Sequence, residues 1–164
     1  MRKRIIAALC SMSILSMVTV ISAIDVNASE SEQKVVDGSA LTMDESSTGY
    51  STSSVARGEY LMTGDCTISK AGLTRVYAYA STTANREVNY IATLVYVEQY
   101  IEEDDAWGYV YGWVEETNND YFLSTAKSVK VDRGHYYRVR ANHLAGDQYP
   151  YDETASATDG IYLP

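Results

Sequence analysis

The sequence predicts an all-β chain, an antiparallel two-sheet sandwich that follows a leader and a tether. Three observations predict it. From Glu59 onward, short runs rich in β-branched and aromatic residues recur about every ten positions, divided by Gly, Asn and Asp. No stretch of ten or more residues repeats its apolar positions at i, i+3 and i+4 between caps, so no helix is expected. The spacing gives seven or eight strands over about 105 residues, which suits a sandwich, with an up-and-down barrel as the alternative architecture.

The elements follow in order. Arg2, Lys3 and Arg4 precede an apolar run from Ile5 to about Ile24, and Val26-Asn27-Ala28 forms a small-residue exit. That order is a secretory signal peptide over residues 1–28. The run is also long enough to be an uncleaved anchor, although Ser11, Ser13, Ser16, Thr19 and Ser22 dilute it. Residues 29–57 are rich in Ser, Thr, Glu and Asp, and bury too little apolar surface to offset ordering entropy, so they read as a disordered linker, with Val35-Val36 and Leu41 as the points where a short ordered piece could dock. The sandwich domain is assigned to residues 58–164.

Within it, Tyr60–Lys70 is the first strand and Lys70-Ala71-Gly72 a tight turn. Leu73–Ser81 returns, and Thr82–Glu87 reads as a loop. Tyr90–Tyr100 is apolar on both phases, as expected of a central strand covered on both sides. Glu102–Asp105 turns into Trp107–Val114, and Asn118-Asn119-Asp120 turns into Tyr121–Val131. Asp132-Arg133-Gly134 leads to His135–His143, Ala145–Tyr149 is loop, and Asp152–Leu163 supplies one or two short strands.

Charge and composition exclude several function classes. The formal net charge is −9 with a pI near 4.6, which argues against nucleic acid, since phosphate binding needs a basic footprint. Loss of the leader would remove Arg2, Lys3, Arg4 and Asp25 and leave the chain more acidic. It would also remove Cys10 and leave Cys66 alone, so no internal disulfide is expected. Cys66, beside Asp65, reads as a small buried hydrophobe.

Gly134-His135-Tyr136-Tyr137-Arg138-Val139-Arg140-Ala141 resembles the penultimate strand of fibronectin type III domains. The resemblance places His135, Tyr137, Val139 and Ala141 inward and Tyr136, Arg138 and Arg140 outward. It implies an immunoglobulin/fibronectin-like sandwich, with His135 where that family has its corner tyrosine. A longer resemblance rests on several segments. They are Gly64-Asp65-Cys66-Thr67-Ile68, Ser81-Thr82-Thr83-Ala84, Val95-Tyr96-Val97-Glu98, Gly134 to Arg140, His143-Leu144-Ala145 and Thr158-Asp159-Gly160-Ile161-Tyr162. Together they resemble a family of small secreted proteins of Gram-positive, clostridia-like bacteria, known as a domain of unknown function. That resemblance implies export and a β-rich domain, and no catalytic residues.

The residues offer little chemistry. His135 and His143 lie eight apart on one strand, about 26 Å at ~3.3 Å per residue, too far to share a metal or a proton. His135 reads as a corner residue bonded to backbone, and His143 as the structural partner of Glu153. No zinc-protease, nucleophile-elbow or phosphate-loop pattern occurs. Glu102-Glu103-Asp104-Asp105 lacks the alternation that wraps calcium. No metal, cofactor or enzymatic activity is expected.

The aromatic run carries the functional expectation. Trp107, Tyr109, Tyr111 and Trp113 alternate with Gly108, Val110, Gly112 and Val114, so at period two all four rings share one face over ~20 Å. Facing inward they are core, facing outward they are a stacking platform for sugar rings, and in a mixed case one Trp is buried and the other free. The expectation is a secreted, monomeric, non-enzymatic module that binds cell-wall or host glycans through these residues. The alternative is an acidic extracellular protein-interaction or structural module.

Overall fold

The structure, a computed structural model, describes residues 36–51 and 59–164, all within the unit Lys34–Pro164. The leader at 1–28 and the linker segments 29–35 and 52–57 lie outside the described residues. The described residues form ten strands. In order they are β1 (Leu41–Thr42), β2 (Ser46–Tyr50), β3 (Leu61–Lys70), β4 (Arg75–Val88) and β5 (Tyr90–Ile101). Then come β6 (Ala106–Thr117), β7 (Asp120–Lys130), β8 (His135–Gly146), β9 (Asp152–Ala157) and β10 (Gly160–Leu163).

Two sheets result. One runs β1-β10-β8-β5-β6, with β9 beside β10 along the same edge of β8, and the other runs β2-β3-β4-β7. Every pairing is antiparallel except β1 with β10. The sandwich is therefore all-β, as predicted. Four of the predicted turns carry a left-handed residue, at Gly72, Asp105, Asn119 and Gly134. Glycine, Asn and Asp are the residues that reach that conformation at least cost.

Four expectations need correction, two of them in the strand assignment. The linker reading fails for residues 41–50, where β1 pairs with β10 and β2 with β3. Gly49 on β2 is buried with its backbone against Ala157, so close that no Cβ fits between them. The Thr82–Glu87 loop is also strand. Beyond Thr83, β4 leaves β7 through a register shift and buries Ala84 and Val88 with Leu61, Ile91 and Ala145.

The inner faces hold two apolar clusters. The larger contains Ile68, Val76, Val95, Val97, Val139 and Ile161 among others. The smaller is the group around Leu61 and Ile91. Between them lies a polar belt. His143 is fully buried, with Nδ1 2.9 Å from Thr82 Oγ1 and Nε2 2.8 Å from Ser156 Oγ. Thr82 Oγ1 also lies 2.6 Å from Thr93 Oγ1. The imidazole lies against Gly64, where any side chain would collide with it. His143 thus pairs with Thr82 and Ser156 rather than with Glu153, which accepts from Asn142.

The β8 phase is as predicted for Tyr137, Val139 and Ala141, all buried. His135 is exposed instead, at the first residue of the strand. The corner hydrogen bond comes from Tyr137, whose hydroxyl donates to the Asp132 carbonyl at 2.9 Å.

Candidate functional site

The aromatic strand β6 is split by a β-bulge. Its register against β5 runs Tyr100–Trp107, Gln99–Gly108 and Glu98–Tyr109, then jumps to Val97–Tyr111, Tyr96–Gly112 and Val95–Trp113. Val110 has no partner, so the alternation shifts by one. The four rings do not share a face. Trp107 and Tyr109 stand on the outer face with Glu98 and Tyr100. Trp113 joins Val110 against the main core, and its indole N–H donates to Thr125 Oγ1 at 3.0 Å. Tyr111 leans out at the same edge, 6.0 Å from the Trp113 ring.

The outer face is built on a charged lattice that the sequence reading did not identify. Glu98, 8% exposed, accepts from Arg138 Nε at 2.8 Å and from Arg140 Nε at 3.1 Å. The Arg138 guanidinium stacks on Trp107 at 4.2 Å, and that of Arg140 on Tyr96 at 4.5 Å. Arg138 also donates through Nη1 to the Gly38 carbonyl at 2.6 Å, tying the N-terminal segment to β8. A carboxylate shared by two guanidiniums satisfies its acceptors and justifies the burial of charge. The cross-strand register Glu98–Arg138 and Tyr96–Arg140 is what brings these groups together.

Trp107 closes one side of an open groove of about 380 Å³, lined also by Asp37, Ser39, Leu41, Tyr100, Asp105 and Arg138. Tyr100 packs on Trp107 at 5.4 Å. Its hydroxyl donates to Asp105, and that hydrogen bond raises the phenol above its ordinary range. Tyr109, 69% exposed, stands beside the groove on the same face. The groove thus offers an indole, a phenol, carboxylates, a hydroxyl and a guanidinium within one depression.

The buried groups offer no accessible chemistry. Burial holds the His143 imidazole down at about 4, and it pushes the Cys66 thiol up to about 12. The Ser156–His143 contact is sealed between the sheets, so substrate has no approach to it. Among the described residues, no three His, Cys, Asp or Glu side chains converge as a metal site. No described helix is long and apolar enough to cross a membrane.

A family model matches residues 27–160 of this chain. The chain belongs to the Family of unknown function (DUF6147). No curated protein and no solved structure matches it. The matched span of this DUF6147 chain begins upstream of β1, in keeping with β1 and β2 being strands of the sandwich.

Proposed function

We propose that this DUF6147 chain is a secreted, non-enzymatic module of a Gram-positive bacterium that binds glycans in the Trp107 groove. The observation that carries the reading is the position of Trp107. Its ring is braced by Arg138 and opens onto a depression lined by Asp37, Ser39, Tyr100 and Asp105. An aromatic face suits the C–H face of a sugar, and fixed polar groups around it suit the hydroxyls. Secretion is supported by the sequence of the leader, with Arg2–Arg4, then the apolar run, then Val26-Asn27-Ala28. The platform is short, Trp107 with Tyr109, because the bulge turns Trp113 inward.

A glycan array probed with the protein lacking residues 1–28, and with its Trp107→Ala variant, tests this. Binding to neutral glycans that Trp107→Ala removes, with the fold intact by circular dichroism, supports the reading. An array silent to both proteins overturns it. One observation favours a second reading, an acidic module for a basic protein partner. Glu102, Glu103, Asp104 and Asp105 are all exposed on the β5–β6 turn beside the groove.

A further inference from the structure

The distribution of cations points to a second site, remote from the Glu98 lattice. Among the described residues, Lys70, Arg86, Arg138 and Arg140 each hold a carboxylate. Arg133 donates to the Pro164 oxygen at the C-terminus, and Arg75, Lys127 and Lys130 hold no carboxylate, in a chain where 22 acidic residues outnumber 13 basic ones. All three lie where β4 meets β7, Arg75 and Lys130 on the outer face and Lys127 on the inner one. Arg75 on β4 is directly opposite Lys130 on β7, a like-charge cross-strand pair that is unfavourable by itself. Arg75 Nη1 donates to the Ser128 carbonyl at 3.1 Å. Ser128, Lys127 and Lys130 line an open groove of about 320 Å³ with Val110, Tyr111 and Val129.

Lys127 shows how this groove is built. It registers with Ala78, an inner-face residue, so an edge strand points a cation into the gap between the sheets. Its ammonium lies 5.1 Å from the Trp113 ring and 5.8 Å from the Tyr111 ring. An inward charge on an edge strand opposes the addition of a further strand, which argues against an extended peptide pairing with β7. Tyr111, 41% exposed, offers a ring beside the ammonium groups.

We propose that the β6–β7 groove binds an acidic polysaccharide, with a sugar ring on Tyr111, its carboxylate on Lys127, and Lys130 at the rim of the groove where β7 forms the sheet edge. The site is separate from the Trp107 groove, and its ligand is anionic rather than neutral. The net negative charge of the whole chain is screened beyond about 8–10 Å at physiological salt, so the local cations govern the contact.

The test is calorimetric titration of the protein lacking residues 1–28 with polygalacturonate, with fully methyl-esterified polygalacturonate, and with polyphosphate. Polygalacturonate should bind, and the esterified polymer at least tenfold more weakly. Lys127→Gln/Lys130→Gln should lose at least tenfold, and the exposed Lys130→Gln alone severalfold, which covers the case in which the double variant misfolds. Tyr111→Ala should lose severalfold, and Arg86→Gln, a cation elsewhere, should change nothing. Absence of polygalacturonate binding at low salt overturns the proposal. So does equal loss in Arg86→Gln, or polyphosphate binding as tight as polygalacturonate, since each leaves no role for the groove or its ring. Neutral glycans score the Trp107 groove independently, so either site can fail while the other stands.

Discussion

The Trp107 indole overlies the backbone of Gly160, where a Cβ would meet its Cη2 at 2.5 Å. The ring therefore extends across the outer face from β6 to β10, and its position depends on a glycine 53 positions away in sequence. Gly160→Ala should push the ring off β10 at a cost of about 1–3 kcal/mol, as overpacking does. Tryptophan emission should shift to the red and quench more readily. Unchanged emission and stability would mean that the ring is not held there.

The two tryptophans should respond differently to truncation. Trp113→Ala removes a ring packed against the core and leaves Thr125 without its donor, at about 3 kcal/mol or more. Trp107→Ala should cost less and act mainly on glycan binding. Chemical denaturation of both variants, with the array above, separates them. Equal loss of stability would place both rings in structural roles.

Val139→Asp should be severely destabilising, because it buries a carboxylate among valines, at several kcal/mol. On the opposite phase, Arg138→Asp should also be costly. It places a second carboxylate beside Glu98 and removes a guanidinium from Trp107, at about 3 kcal/mol for a largely buried pair. Urea midpoints of both variants check the expectation, and an unaffected Arg138→Asp would remove the Glu98 lattice as a structural element.

Acid should weaken the fold through His143. The folded state keeps its imidazole neutral down to about pH 4, while the unfolded chain protonates it near 6.5. Between these values the unfolded chain binds more protons. Stability from this residue is therefore complete above about pH 6.5 and is lost as pH falls toward 4, about 3 kcal/mol in total. Melting temperatures across that range should fall more steeply for the native sequence than for His143→Gln. A histidine NMR titration showing His143 protonated at pH 6 would refute the assignment.

Removing residues 36–56 should lower the melting temperature by many degrees. The deletion strips β2 from β3, leaves β10 without β1, and uncovers Ala157 where Gly49 packs. Proteolysis that trims to residue 57 without loss of stability would show these strands to be dispensable.

Much of the fold was legible because period-two alternation survives in β8, where Tyr137, Val139 and Ala141 declare their face. β2 was hidden for a physical reason. Its inner residues are Ser47 and Gly49, and its outer Thr48 lies 2.9 Å from Thr67, hydroxyl to hydroxyl, so the strand shows no apolar signal. The single aromatic face that strict alternation implies is broken, leaving the mixed arrangement, because a bulge resets alternation without leaving a mark at Val110. The arginines of the Glu98 lattice were correctly assigned outward. Their partners lie about 40 positions away on β5, which only the strand register reveals.

The His143 belt also bears on how the strands find each other. Valines and alanines on β5 and β8 pack almost equally well if one strand slides along the other, so apolar contact alone tolerates neighbouring alignments. His143 removes that tolerance. Its two ring nitrogens are satisfied only when β8 meets Thr82 on β4 and Ser156 on β9 together. A one-residue slip would swap the faces of β8, and a two-residue slip would set a bare imidazole among aliphatic side chains. The belt acts as a key that only one alignment of four strands can turn.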